Sequence, residues 1–145
     1  MPTYVVYAAA PAIPDAARAD LAVAITEIHA RLTGAPKSFV QTIFRELAAG
    51  AHFIGGRPTD PRGVWVHGHI RAGRSPEVRS AIALEISDAL QDIAGTPRGH
   101  VWVYISELDD SDMIEFGEVL PPPGAELEWI QALPPETRDR LVELN

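Results

Sequence analysis

The stretch ITEIHARLTGAPKSFVQTIFREL, residues 25–47, recurs in altered form as ISDALQDIAGTPRGHVWVYISEL at residues 86–108. Both copies begin with apolar residues at helical spacing, pass through Gly-x-Pro and end in a run of strand-favouring residues. Glycine commonly ends a helix in the left-handed conformation, and a proline two positions later prevents continuation. Each copy therefore predicts a helix, a sharp stop at Gly34 or Gly95, and a strand.

The similarity extends upstream of this stretch. At an offset of 61 residues, residues 2–47 align with residues 63–108 without a gap, and nine of the 46 pairs are identical. Each half also begins with a strand, and its helix opens at Pro14 or at Ser75-Pro76. The predicted strands are Thr3–Ala9, Phe39–Leu47, Val64–Ile70 and Val101–Leu108.

A β-α-β order requires the two strands of each half to be parallel, with a right-handed crossover. We therefore predict an α+β fold in which tandem, pseudo-symmetric β-α-β repeats form a four-stranded mixed sheet with two helices on one face. One domain is expected over residues 1–145, with a Gly/Pro-rich linker at 48–62 and a C-terminal tail at 109–145. The tail predicts short helices near Glu126–Ala132 and Pro135–Leu144.

The two helices leave one face of the sheet uncovered. We interpret Tyr4, Val6, Val64 and Val66 as apolar residues of that open face. An uncovered apolar face usually finds a partner surface, so the sequence predicts a homo-oligomer.

Composition excludes several classes of function. The net charge of -8 argues against nucleic acid as a partner, and the absence of cysteine excludes disulfides and thiolate chemistry. The apolar run at residues 5–10 is too short to span a membrane, so a cytoplasmic location is expected. His67-Gly68-His69 offers only two metal ligands, and no cofactor fingerprint is present, so neither a metal nor a cofactor is expected.

Pro2 is a candidate catalytic residue. Removal of Met1 would leave it with a free secondary amine, and an α-amino group has a reference pKa of about 7.7–8.0. If the first strands of the two halves run antiparallel, Pro2 approaches the loop that holds Arg71 and Arg74. Two arginines form a good clamp for a carboxylate. An amine beside such a clamp indicates an enzyme for small unsaturated or enolic acids.

The two halves of the repeat can be compared with each other, because only one half can carry this chemistry. At the 61-residue offset several candidate site residues of one half align with residues of a different type in the other half. These pairs are Pro2 with Gly63, His29 with Leu90, Arg71 with Ala10, Arg74 with Ile13, and Tyr104 with Ile43.

Several motifs resemble the tautomerase superfamily, and within it the cis-3-chloroacrylic acid dehalogenase family. They are Ile25-Thr26-Glu27-Ile28-His29, Val66-His67-Gly68, Arg71-Ala72-Gly73-Arg74-Ser75, Val101-Trp102-Val103-Tyr104, Met113-Ile114-Glu115-Phe116-Gly117 and Leu120-Pro121-Pro122-Pro123-Gly124. The resemblance implies a homotrimer and a small anionic substrate. Arg71 and Arg74, assisted by His29, would hold the substrate carboxylate, and protonated Pro2 would deliver a proton to C2.

The resemblance also implies that Glu115 and Tyr104 position and activate a water molecule that adds at C3. Loss of halide then gives malonate semialdehyde, so a cis-3-haloacrylate dehalogenase or hydratase with enol–keto tautomerase activity is expected. Two alternatives stay open: a plain tautomerase of the 2-hydroxy-dienoate or phenylenolpyruvate type, and a non-enzymatic trimeric binding protein with residual tautomerase activity. Phe116 stands where the family motif tends to have Tyr, and the loop 35–38 also differs, which leaves the native substrate open.

Overall fold

Four strands form the central sheet of the computed structural model, which describes residues 2–9 and 12–144. The chain carries eight strands and four helices within those residues. The strands are β1 (Thr3–Ala9), β2 (Gln41–Leu47), β3 (Phe53–Ile54), β4 (Arg57–Pro58), β5 (Val64–Arg71), β6 (Val101–Leu108), β7 (Ile114–Glu115) and β8 (Glu118–Val119). The helices are α1 (Asp15–Thr33), α2 (Pro76–Ala94), α3 (Glu126–Ala132) and α4 (Pro135–Glu143).

The sheet has the order β2-β1-β5-β6, which confirms the predicted mixed topology. Within each half the strands are parallel, and the two halves meet through the antiparallel pair β1–β5. The helices α1 and α2 pack against each other on one face, and their apolar stripes form the core with that face. The sheet therefore has one covered and one open face, as predicted.

Local signals place the helix ends. Gly34 and Gly95 adopt φ of 74° and 68°, the left-handed conformation expected at a helix end. The Ser75 hydroxyl accepts a hydrogen bond from the Val78 amide and caps α2. The second strand of the first half is shorter than predicted, because Lys37–Phe39 form a 3-10 turn before β2.

Two of the identical pairs in the repeat form the same ion pair in each half. Arg18 binds Glu46 in the first half, and Arg79 binds Glu107 at 2.6 Å in the second. Each arginine lies in the first turns of its helix and each glutamate near the end of the second strand. The pair thus ties helix to strand at the same place in both halves.

The assignment of residues to the open face was wrong. Tyr4, Val6, Val64 and Val66 are all buried beneath the helices. Thr3 lies opposite Gln41 whereas Trp65 lies opposite Trp102, so the first strands match at an offset of 62 residues rather than 61. A shift of one residue exchanges the two faces of a strand.

The corrected register changes two of the residue equivalences between the halves. At an offset of 62 residues the equivalent of Pro2 is Val64, and that of Arg71 is Ala9. The helices and second strands keep the offset of 61, so one residue is missing between β5 and α2. Val64 lies within the chain, as Gly63 does, so the second half offers no terminal amine.

The open face is aromatic rather than aliphatic. Tyr7 stacks on Trp65 with ring centroids 4.8 Å apart, and Trp65 meets Tyr104 edge to face. On the edge strand β6, Trp102 and Tyr104 are 40% and 50% exposed. Such a large exposed aromatic surface is typical of a contact between protein chains.

The linker and the tail hold two short hairpins that the sequence did not predict, β3–β4 and β7–β8. The tail helices α3 and α4 match the predicted helical segments. A small apolar cluster joins the tail to the 3-10 turn after α1 through Phe39, Leu133 and Leu141. The Trp129 ring also meets Phe39 edge to face, with ring centroids 5.9 Å apart, so the tail is fixed over this end of the sheet. No helix among the described residues is long and apolar enough to cross a membrane.

Candidate active site

A cavity at the start of β1 brings together four of the six predicted site residues. Pro2, His29, Arg71 and Arg74 line it. Pro2 precedes β1 and Arg71 ends β5, and these strands are antiparallel neighbours, so their facing ends meet there. Ala35 and Phe39 complete the wall. The expected approach of Pro2 to the arginine loop is therefore confirmed. Met1 lies outside the described residues.

His29 reaches this cavity in its neutral form. It is buried in α1, and its Nδ1 lies 2.7 Å from the Tyr4 hydroxyl. Burial, followed by the charge of Arg74, lowers the pKa of His29 to about 4. Burial also raises the pKa of Tyr4, so the phenol keeps its proton. We assign the hydroxyl as the donor to Nδ1, which leaves the imidazole proton on Nε2 and available to a ligand.

Sequence reasoning missed Tyr4 as a site residue. Its ring fits beneath α1 because Gly68 lies directly opposite on β5. A Cβ at Gly68 would stand 2.6 Å from the Tyr4 ring, which is closer than such atoms approach. The pair of a buried aromatic residue and an opposing glycine could have been found only once the register of β1 and β5 was known.

The two arginines have different surroundings. Arg71 is buried, donates through Nη1 to the Pro121 carbonyl at 2.6 Å, and forms an ion pair with Glu126. Arg74 lines the cavity, forms no ion pair with any described residue, and its buried Nε finds no acceptor among them. Arg74 is therefore the cation that remains open to an anionic ligand.

The loop that carries Arg74 is braced from β6. One carboxylate oxygen of Glu107 accepts from the amides of Gly73 and Arg74, at 3.1 and 3.2 Å, and the other accepts from Arg79. Gly73 adopts φ of 99°, a conformation that glycine tolerates best. The ion pair between Arg79 and Glu107 therefore does more than tie helix to strand, because Glu107 also fixes the backbone of the arginine loop.

Glu115 lies in an adjoining cavity with Thr3 and Gln41. This cavity borders the first one, because Thr3 follows Pro2 and the Gln41 amide donates to the Pro2 carbonyl at 3.0 Å. Glu115 precedes Phe116, which holds φ of 53° in the β7–β8 turn and packs against the apolar cluster of the tail. A bulky residue at positive φ is strained, and such strain is common where a neighbouring side chain must be aimed.

Tyr104 is not in either cavity of this chain. It stands on the open face with Trp65 and Trp102, beside the β3–β4 hairpin. A second chain is needed to bring such a residue to a site lined by Pro2.

No group of His, Asp or Glu among residues 2–9 and 12–144 is arranged to hold a metal ion. His67 was a candidate metal ligand in the sequence. It hydrogen-bonds through Nε2 to the Ser106 hydroxyl at 2.8 Å, and its ring lies beside the tilted ring of His69. Both histidines thus belong to the open face.

Comparison with known proteins agrees with the fold. Residues 1–132 match the family Tautomerase_3, described as putative oxalocrotonate tautomerase enzyme. A crystal structure of N1, a member of the cis-3-chloroacrylic acid dehalogenase family, is 36% identical, with a TM-score of 0.92 over 97% of this chain and 99% of that one. Native Ps01740 is 33% identical, with a TM-score of 0.74 over 78% of this chain and 99% of its own.

A fused 4-OT described as a symmetric trimer shares the fold. It is 23% identical, with a TM-score of 0.74 over 81% of this chain and 94% of that one. A comparison with curated proteins found no match.

Proposed function

The chain belongs to the tautomerase superfamily and to its cis-3-chloroacrylic acid dehalogenase-like family, and we propose that it uses Pro2 to move protons on small unsaturated carboxylic acids. One observation carries the proposal: Pro2 shares a cavity with a neutral imidazole and with an arginine that forms no ion pair with any described residue. Removal of Met1 is part of the proposal, because only then is the amine of Pro2 free.

Enol–keto tautomerisation is the reaction that this cavity supports best. The guanidinium of Arg74 and the Nε2 proton of His29 bind the substrate carboxylate. The neutral amine of Pro2 takes the proton from the enol oxygen, the C=O bond forms, and the same proton returns to carbon. No cofactor is needed, since the proton is moved within one molecule.

Hydration with loss of halide is the second candidate, and the position of Glu115 favours it. Its carboxylate lies next to Thr3 in the adjoining cavity, where it can orient a water molecule. Glu115 takes a proton from that water as the water oxygen bonds to C3 of a cis-3-haloacrylate, and protonated Pro2 gives its proton to C2. The halohydrin then loses hydrogen halide to give malonate semialdehyde. The protonation state of Pro2 decides between this reaction and tautomerisation.

A homotrimer supports the second candidate further. Tyr104 is exposed on the aromatic open face, so a neighbouring copy that covers this face could receive it in its own site. The fused 4-OT structures are trimers, which supports the same assembly here. Sedimentation of the purified protein tests it, and a monomer at micromolar concentration would contradict it.

The experiment compares Pro2→Ala and Arg74→Ala with the mature protein on phenylenolpyruvate and on cis-3-chloroacrylate. Intact mass first establishes that Met1 is absent, since its retention would favour the binding-protein alternative. Arg74→Ala is expected to raise KM about 10- to 100-fold, the loss typical of a charge-assisted hydrogen bond. Arg57→Ala, an exposed arginine of the β3–β4 hairpin, is the control. Full activity of Pro2→Ala on both substrates would refute the mechanism.

Tyr104→Phe distinguishes the two reactions. It is expected to lower the dehalogenase rate about tenfold or more, because the water loses a positioning group, while phenylenolpyruvate tautomerisation keeps its rate. An equal loss on both substrates would contradict a role in water activation.

A further inference from the structure

Glu126 is the only described acid that pairs with an arginine of the candidate site. Its Oε1 binds Arg71, and its Oε2 accepts from the Gly124 amide at 2.9 Å. The side chains of Arg71 and Glu126 are only 9% and 15% exposed. A pair this well shielded from water interacts strongly, and each partner is costly to leave alone.

The geometry leaves Glu126 no part in proton transfer. Both of its oxygens are engaged, and hydrogen bonds from Arg71 and from the backbone lower the pKa of its carboxyl although burial alone would raise it. Glu126 therefore stays ionised and acts on the site only through its charge and its ion pair with Arg71.

That charge reaches the open cation. Burial lowers the pKa of the Arg74 guanidinium and Arg71 lowers it further, whereas the charges of Glu126 and then Glu107 oppose both effects. With His29 neutral, Arg71, Arg74 and Glu126 together carry one net positive charge. Without Glu126 the two arginines would carry two.

We propose that Glu126 is a specificity-determining residue that neutralises Arg71 and so reserves the site for monocarboxylates, with Arg74 as the arginine that no described acid pairs with. This inference rests on the proposed binding of a substrate carboxylate at Arg74. A second carboxylate on the ligand would meet a guanidinium already occupied by an acid of the same chain, so dicarboxylates are disfavoured.

A matched pair of ligands tests the proposal. Isocrotonate and maleate share a cis alkene with a carboxylate at one end. At the other end isocrotonate carries a methyl group, whereas maleate carries a second carboxylate. Calorimetry measures their binding at a pH above the second ionisation of maleate. Wild type should prefer isocrotonate. Glu126→Gln, which keeps the shape of the side chain, should move the ratio of the two affinities about tenfold towards maleate, because a dianion gains twice from the added charge.

Two further variants separate charge from packing. Arg71→Gln/Glu126→Gln keeps a hydrogen-bonding pair and restores one net charge, so it should recover the wild-type preference. Glu128→Gln removes an exposed acid of the same helix and should leave the ratio unchanged. A ratio that does not move in Glu126→Gln, or that moves equally in the charge-restored double variant, would overturn the proposal. Thermal unfolding of each variant confirms that it folds.

Arg74→Ala distinguishes this inference from the function on which it depends. If that variant binds isocrotonate as tightly as wild type does, the proposed carboxylate site is wrong. If it loses isocrotonate while Glu126→Gln leaves the affinity ratio unchanged, the site is right and the inference about Glu126 is wrong.

Discussion

Tyr4 and His29 form a buried hydrogen bond whose strength can be measured by a double-mutant cycle. The variants are Tyr4→Phe, His29→Leu and the two combined. Leucine is the natural choice at position 29, because Leu90 occupies the equivalent place in α2 and is fully buried there. Phenylalanine keeps the edge-to-face contact of the two rings, whose centroids are 5.8 Å apart. Each change thus removes one hydrogen-bonding group with little change of packing.

The expected magnitudes follow from the burial of both groups. Tyr4→Phe leaves Nδ1 of His29 without a donor, and His29→Leu leaves the Tyr4 hydroxyl without an acceptor. A buried polar group without a partner costs about 1–3 kcal/mol, whereas removal of both partners is nearly neutral. Each single variant should therefore lose about 1–2 kcal/mol. Because the double variant should be nearly neutral, the coupling free energy should be about 2–4 kcal/mol in magnitude.

Urea unfolding at fixed protein concentration measures the four free energies of unfolding, because an oligomer's stability depends on concentration. Thermal unfolding gives a second reading, with about 2–4 °C of Tm expected per kcal/mol for a chain of this size. If the double variant loses the sum of the two single losses, the hydrogen bond contributes nothing and the assigned tautomer of His29 is without support.

Three further outcomes are expected. The free energy of unfolding should fall by about 3 kcal/mol as the pH drops from 6.5 to about 4. The reason is that the unfolded chain binds a proton in this range, whereas the buried His29, with its pKa lowered to about 4, stays neutral. Urea unfolding of His29→Leu over the same pH range should lack that part of the loss. Gly68→Ala should cost about 1–3 kcal/mol by pushing the Tyr4 ring, with a raised KM for enol substrates, and unchanged unfolding would contradict the close approach. Glu107→Ala should raise KM about tenfold by freeing the backbone of the arginine loop, whereas Glu46→Ala, its repeat equivalent, should leave KM unchanged.

The helices and second strands were predictable because their signals are local. The apolar period of each helix and the Gly-x-Pro stop lie within a few residues of one another, and they match at the same offset in both halves. The faces of the first strands were not predictable in the same way. Thr3–Ala9 is apolar at nearly every position, so its pattern does not reveal which residues are buried, and a missing residue between β5 and α2 shifts the match by one.

The site was partly predictable for a similar reason. The approach of Pro2 to Arg71 and Arg74 follows from the antiparallel arrangement of the halves, which the repeat itself indicates. Glu126 could not be found, since it is one of eleven acids from residue 107 to the end and only the packing of the tail singles it out. Tyr4 needed the corrected register.

The corrected register also explains why each chain carries one candidate site although its fold carries two equivalent places. The residues that match Pro2, His29 and Arg71 in the other half are Val64, Leu90 and Ala9. The cavity beside Ala9 is lined by apolar residues such as Ile13 and by two arginines, Arg45 and Arg18, of which Arg18 is bound to Glu46. An anion there would meet neither the proline nor the imidazole of the candidate site, because Val64 and Leu90 stand in their places. The ion pair that braces the arginine loop in the second half instead occupies Arg18, an arginine that lines the cavity, in the first. The same repeated contact therefore supports binding at one place and opposes it at the other.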